Sequence, residues 1–152
     1  MSLRAIPLLV IAFILYNLIV LVSGGGDTAV PAGDGTTVVS GAAAALASPI
    51  FTIRLLSGGL WTFNWGDLIL LITLFLLFIE LVKSTFTTTS TLVDHALSMV
   101  LFIAMGMEFL MVPQAATSVF FLILTAAVID VVAGYTIGIR VARRDLNIGS
   151  DT

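Results

Sequence analysis

The sequence predicts an all-α membrane protein, a bundle of four transmembrane helices with an external β-hairpin between the first and second helices. Hydrophobic residues make up 59% of the 152 residues and charged residues only 10%, whereas soluble domains average about 25% charged. Four apolar runs each approach the roughly 20 residues needed to cross a hydrocarbon core about 30 Å thick. Two β-branched and aromatic runs flank a glycine turn ahead of the second span, which predicts the hairpin.

One domain is expected over residues 1–152, with spans at about 5–23, 66–86, 92–112 and 116–141 and an external loop and hairpin over 24–65. The first run is longer than the apolar core of a signal peptide and lacks a nearby cleavage motif, so we expect a retained helix. Thr91 to Asp94 matches a helix-start signal and Pro113 a helix stop, which bounds the third span. The short PQAA link makes the third and fourth spans an antiparallel pair.

The basic residues predict the orientation of the spans. One side carries Arg4, Lys83, Arg140, Arg143 and Arg144, and the other carries Arg54 alone. Because positively charged residues accumulate on the cytoplasmic side of membrane proteins, both termini should be cytoplasmic. The segment before the second span and the turn at Pro113 should then lie outside.

The external segment has two parts. Residues 23–48 are rich in glycine and other small residues and predict a loosely packed loop, in which AAAALA could form a short helix. Beyond them, a three-residue hairpin loop over 57–59, with Gly59 left-handed, gives one wholly apolar face. This face comprises Phe51, Ile53, Leu55, Trp61, Phe63 and Trp65. A two-residue loop would mix polar and apolar side chains, so we choose the three-residue register.

Two interpretations of the apolar face remain open. Tryptophans at the start of a span commonly lie at the membrane interface, so the hairpin would cap the outer end of the bundle at headgroup level. Alternatively, the hairpin docks a partner protein, by strand addition or through its apolar patch.

Ionisable residues within the spans are the default functional candidates, because they are costly there and usually face the bundle interior. These intramembrane polar candidates are Glu80, Lys83, His95, Glu108 and Asp130. Counting about 1.5 Å per helical residue from each span's midpoint places all but Glu108 in the cytoplasmic half. Glu108, in the outer half, would need a partner such as Tyr16, Asn17 or Thr73.

Asp130 belongs to a row of small residues spaced by four, with Ala126, Gly134 and Gly138. Such a row lets two helix backbones approach closely, so this face should meet another helix rather than lipid. The intramembrane acids are then either protonated or paired contacts between helices, or parts of a proton or cation pathway.

Other functional classes lack support in the sequence. There are no cysteines, and six basic residues do not form a nucleic-acid footprint. Catalytic triads, phosphate-binding glycine loops and paired hydrolase carboxylates are missing. Methionines cluster in the third span, but methionine is also a common core filler. We therefore predict no enzyme activity, cofactor or metal site.

At SGGLWTFNWGDL, TLVDHALS and IDVVAGYTIGIRVARRD, the chain resembles a group of short bacterial four-span inner-membrane proteins of unknown function. The resemblance covers most of the chain from Pro49 onward, together with RAIPLL near the start. It implies a bacterial inner-membrane location and no particular chemistry. GLW in an outer β-rich segment is also similar to claudins, but the paired cysteines that accompany that motif there are missing.

These observations favour a non-enzymatic scaffold or accessory subunit of a membrane complex. Its expected partners are the lipid bilayer and either another membrane protein or further copies of itself. The alternative is a proton- or cation-conducting channel or transporter that uses the intramembrane acids.

Overall fold

The structure, a computed structural model, describes residues 6–23, 27–32, 35–85 and 89–148. Within these ranges the helices are α1 (Leu9–Val22), α2 (Gly41–Leu46), α3 (Trp65–Ser84), α4 (Thr89–Met111) and α5 (Ser118–Ile148). The strands are β1 (Asp27–Ala32), β2 (Gly35–Ser40), β3 (Pro49–Arg54) and β4 (Leu60–Asn64). A 3₁₀ turn over Pro113–Ala115 joins α4 to α5.

Three helices in the described part of the chain are long and apolar enough to cross a membrane. They are Trp65–Ser84, Val93–Met111 and Ser118–Ile137, with mean hydropathies of 2.3, 1.5 and 2.1. Their positions confirm the predicted second, third and fourth spans. The first predicted span forms α1, whose 14 residues rise about 21 Å. This length is below the hydrocarbon thickness, so the structure does not establish a fourth span.

The helices pack around α5, which contacts both α3 and α4, while α1 lies mainly against α3. Each helix buries residues three or four apart, the spacing that brings side chains onto one face. The fully buried side chains include Leu9 and Tyr16 of α1, Ile69 and Thr73 of α3, Met105 of α4, and Phe120, Ile123 and Asp130 of α5. The core therefore runs lengthwise between the helices.

The opposite helix faces are apolar as well as exposed. They carry Ile14 and Leu18 on α1, Leu74, Phe75 and Phe78 on α3, Val100, Ile103 and Leu110 on α4, and Phe121 and Val132 on α5. A helix that is hydrophobic all round suits a lipid environment or the interior of a large protein. Together with the three long apolar helices, this surface indicates an integral membrane protein.

The predicted helix-start signal at Thr91 to Asp94 does not mark the start of α4. Helix α4 begins at Thr89, so Asp94 lies inside the helix rather than in its first turn. Its carboxylate binds Lys83 of α3 instead. A local capping pattern could not reveal this, because the partner lies on another helix.

The segment between α1 and α3 is more ordered than predicted. In place of a loose loop, β1 and β2 pair as an antiparallel hairpin, with Asp27 opposite Ser40 and Ala32 opposite Gly35. The short alanine-rich helix is present as α2, and its N-cap Ser40 accepts a hydrogen bond from the Ala43 N–H. Buried Ala42 and Leu46 contribute to the core, which supplies the packing that an isolated helix of this length lacks.

The second hairpin has the predicted faces but a shifted loop. Phe51 pairs with Phe63 and Ile53 with Trp61, so the aromatic side chains share one face as expected. On the other face, the Thr52 and Thr62 hydroxyls lie 3.0 Å apart. The left-handed residue is Gly58, with φ of 83°, rather than Gly59. The loop thus covers residues 56–58, and because the shift preserves strand alternation, the face is unchanged.

Asn64 joins the hairpin to α3 through a capping box. Its side chain accepts a hydrogen bond from the Asp67 N–H at 2.9 Å, and the Asp67 carboxylate accepts one from the Asn64 N–H at 3.1 Å. We expect Asn64→Ala to lower the free energy of unfolding by about 1 kcal/mol, the usual loss for an N-cap. Denaturant unfolding in micelles would measure it. Asn64→Asp, which keeps a capping oxygen, should retain most of the stability.

Candidate functional site

A buried ion-pair network joins the C-terminal end of α3 to the N-terminal part of α4. The Lys83 ammonium lies 2.7 Å from Glu80 Oε1 and 2.8 Å from Asp94 Oδ2. Both carboxylates are buried, while the lysine remains partly exposed. A lysine at the end of a span can bury its stem and keep its charged group near the interface. One cation therefore bridges two acids from different helices.

The start of α1 is attached to the same network. The Leu8 N–H donates a hydrogen bond to Glu80 Oε2 at 2.8 Å, and Lys83 Nζ donates one to the Ile6 carbonyl at 3.3 Å. The Leu8 N–H lies at the helix start, where amides lack intrahelical acceptors, and the Ile6 carbonyl lies before the helix. Glu80 and Lys83 of α3 thus connect this helix to α4 and to the start of α1.

A second polar group lies between α4 and α5. His95, Ser98 and Asp130 are each at most 5% exposed. The His95 ring lies against Gly134, where an added Cβ would stand 2.5 Å from Cε1 and 2.6 Å from Nδ1. This contact supports the prediction that the small-residue face of α5 meets another helix. Ala126 is also buried, whereas the surroundings of Gly138 lie outside the described part of the chain.

Four buried polar atoms in this region have no hydrogen-bond partner within the part of the protein that the structure describes. They are Asp94 Oδ1, His95 Nε2, Ser98 Oγ and Asp130 Oδ1. Buried polar atoms are nearly always satisfied in folded proteins, so four together require an explanation. We call these two groups together the inner cluster. It comprises Glu80, Lys83 and Asp94 between α3 and α4, and His95, Ser98 and Asp130 between α4 and α5.

The inner cluster contains the four polar candidates that the sequence placed in the cytoplasmic half. It also contains two residues that the sequence analysis missed as candidates, Asp94 and Ser98. Asp94 was interpreted as a helix-start signal, and Ser98 is an ordinary residue in a helix. One feature of the sequence could have identified both residues: Asp94 and Ser98 are four positions apart and therefore share a helix face.

Glu108 lies apart from the inner cluster. It is half-buried and lines an open groove between α1 and α4 with Asn17, one of its predicted partners. The other two predicted partners are engaged elsewhere. Tyr16 Oη donates to the Gln114 carbonyl at 3.0 Å and lies 2.7 Å from Thr117 Oγ1, while Thr73 Oγ1 donates to the Ile69 carbonyl at 2.7 Å.

The aromatic hairpin face is exposed. Phe51, Ile53, Leu55, Trp61 and Trp65 are each 43–46% exposed, and only Phe63 is less so. Phe51 and Phe63 stack with ring centroids 5.1 Å apart, and Trp61 meets Phe63 edge-on at 5.8 Å. The aromatic side chains therefore contact one another while leaving about half of their surface available.

Comparison with known proteins adds no family. No protein-family model, curated protein or solved structure matches the chain. Within the described ranges, no group of three or more histidine, cysteine, aspartate or glutamate side chains is arranged to hold a metal ion. Of the methionines in α4, Met105 is fully buried, and Met99, Met107 and Met111 are exposed.

Asp130 provides a test of whether the inner cluster tolerates loss of an acid. A charged carboxylate is expensive at this depth, so Asp130→Asn, which keeps size and hydrogen-bonding ability, should change the free energy of unfolding by less than about 1 kcal/mol. Asp130→Leu should lower it by about 1–3 kcal/mol, because the close α4–α5 contact leaves no room for a branched side chain. Glu108→Leu, in the open groove, is the matched control and should be tolerated. Equal losses for both leucine variants would contradict this account.

Proposed function

We propose that the protein is a non-enzymatic scaffold or accessory subunit of a membrane complex, and that its exposed aromatic hairpin face contacts a protein partner. The observation that supports this most directly is the half-exposed cluster of Phe51, Trp61 and their neighbours. Contiguous exposed apolar surface marks interaction sites, and clustered tryptophan and phenylalanine are typical of interface centres.

The backbone of the hairpin is suited to the same role. Strand β3 pairs with β4 alone in a two-stranded sheet, which leaves its other edge without a neighbouring strand among the described residues. An exposed edge can accept an added strand, with main-chain hydrogen bonds providing affinity. A two-stranded hairpin is also marginally stable alone, so a partner on its apolar face would stabilise it.

We further propose that α1 serves as a fourth span, with both termini cytoplasmic in a bacterial inner membrane. Helix α1 lies along most of α3: Leu8 binds Glu80 near one end of α3, and Val22 and Ser23 line a groove with Trp65 at the other. The proposed orientation of the spans rests on the basic residues, most of which lie at the ends of the helices that would face the cytoplasm.

Single-cysteine labelling tests this topology in a chain that has no native cysteine. A cysteine at Asp34 should react with an impermeant reagent added outside intact cells, and one at Ser150 only after permeabilisation. Reaction of the two in the opposite pattern would overturn the proposed topology. The unsubstituted chain is the control for background labelling.

The partner proposal is tested by purification in mild detergent followed by mass spectrometry. A companion should co-purify in fixed stoichiometry with the wild-type chain and be lost from the double variant Trp61→Ser/Phe51→Ser. Thr52→Ser/Thr62→Ser, on the opposite face, is the matched control and should keep it. A lone homo-oligomer, or a companion unaffected by the aromatic variant, would contradict the proposal.

The alternative is a proton- or cation-conducting protein that uses Glu80, Glu108 and Asp130. Their burial or partial burial within apolar helices favours it. Against it, Glu108 lies apart from the other two acids. In addition, fully buried Met105, Phe120 and Ile123 fill the space between the helices that carry these acids. Dissipation of a proton gradient in liposomes by the purified chain, abolished by Asp130→Asn, would establish the alternative.

A further inference from the structure

The inner cluster holds more acidic than basic side chains among the residues described. Helix α3 contributes Glu80 and Lys83, α4 contributes Asp94 and His95, α5 contributes Asp130, and the start of α1 presents the backbone groups of Ile6 and Leu8. The Lys83 ammonium is bound by Glu80 and Asp94, and within the described ranges it makes no ion pair with Asp130. With every carboxylate ionised, three negative charges would face one lysine in a buried region.

The four buried atoms without a described hydrogen-bond partner belong to this acidic group or to Ser98 and His95 within the same cluster. Asp94 and Ser98 are one turn apart on α4, and Ser98 lies close to Asp130 across the α4–α5 contact. Among the described residues, Ser98 Oγ and Asp130 Oδ1 have no hydrogen-bond partner. Each of these side chains is at most 3% exposed. Within the described part of the chain, Asp94 Oδ1, Ser98 Oγ and Asp130 Oδ1 are thus three buried oxygens without a hydrogen-bond partner, and His95 Nε2 is a buried ring nitrogen without one.

We propose that Asp94, Ser98 and Asp130 form a binding site for one small monovalent cation, a proton or a sodium ion. Carboxylate and hydroxyl oxygens are hard ligands that prefer hard cations. A single positive charge would reduce this excess from two negative charges to one and supply a partner for the unsatisfied oxygens. A divalent ion fits less well, because the other oxygen of Asp94 is already bound to Lys83.

The proposal concerns binding alone and holds whether or not ions cross the membrane. It therefore stands apart from the scaffold role, and neither depends on the other.

The sharpest prediction of the cation site concerns Ser98. If this hydroxyl has no partner, its removal should stabilise the fold, because a buried unsatisfied polar group is lost. If it is a ligand, Ser98→Ala should weaken cation binding about tenfold.

The test follows thermal unfolding of the full chain in detergent at constant ionic strength, with sodium chloride or choline chloride and over a range of pH. A sodium site predicts that saturating Na⁺ raises Tm by about 3 °C or more. A proton site predicts no Na⁺ effect but a Tm that rises as pH falls in sodium-free buffer. Asp130→Asn should abolish either response. Ser98→Ala should shift the Na⁺ dependence about tenfold in concentration, or the pH dependence by about one unit.

Glu108→Gln is the matched control, since it removes an intramembrane acid outside the inner cluster and should leave both responses unchanged. The proposal is overturned if Tm depends on neither Na⁺ nor pH, or if the dependence survives in Asp130→Asn. It is also overturned if Ser98→Ala raises Tm while its response to Na⁺ and pH stays that of the wild type.

Discussion

Replacing Lys83 with methionine should lower the free energy of unfolding by about 3 kcal/mol, because it leaves Glu80 and Asp94 buried without their common counterion. Removing one partner of a buried pair generally costs about 3–5 kcal/mol. We expect the lower end here, since the lysine is 26% exposed and water partly screens its charge. The backbone hydrogen bond from Lys83 to Ile6 would be lost as well. Unfolding in mixed micelles with increasing denaturing detergent would measure the change.

Two variants separate the charge effect from packing. Lys83→Arg keeps the cation and should retain most of the stability. The triple variant Lys83→Met/Glu80→Gln/Asp94→Asn removes the uncompensated charges and should be more stable than Lys83→Met alone. If Lys83→Met were as stable as the wild type, the two ion pairs would contribute nothing to the stability of the fold.

Adding one methyl group at Gly134 should lower the free energy of unfolding by about 1–3 kcal/mol. The new Cβ would stand 2.5 Å from His95 Cε1, closer than any van der Waals contact allows, so the ring or the helices must shift. The ring cannot move freely, because it is 5% exposed and lies 5.7 Å from the Tyr135 ring, centroid to centroid. The same micelle unfolding measurement applies to Gly134→Ala.

Gly106 provides the matched control, because it is a glycine within α4 whose added Cβ would meet nothing within 4 Å. Gly106→Ala should be neutral or stabilising, since alanine favours helix more than glycine does. In the double variant Gly134→Ala/His95→Ala, the clash disappears, and a coupling energy of at least about 1 kcal/mol is expected. Additive effects would show that His95 and Gly134 do not contact each other in the folded protein.

Three of the four spans predicted from the sequence, and the aromatic hairpin face, agree with the structure, because these features depend on patterns within a single segment. Runs of about 20 apolar residues identify membrane-spanning helices through their length. Strand alternation identified the face shared by Phe51 and Trp61, and that prediction held although the loop was displaced by one residue. The row of Asp130 and Gly134 likewise predicted a helix contact, since spacing by four fixes a common face.

Only the tertiary structure decided which polar groups meet, because those contacts join residues far apart in the chain. The Lys83–Asp94 pair lies between two helices, and its local context suggested a helix cap. The hydrogen bond from Leu8 to Glu80 spans 72 positions, and nothing in either segment indicates it. Pairing of β1 with β2 was missed because β1 contains Asp27, Pro31 and two alanines, which have weak strand preferences, although β2 is rich in threonine and valine. Lengthwise packing of α1 on α3, likewise, follows from how the helices are arranged in space and not from the composition of either one.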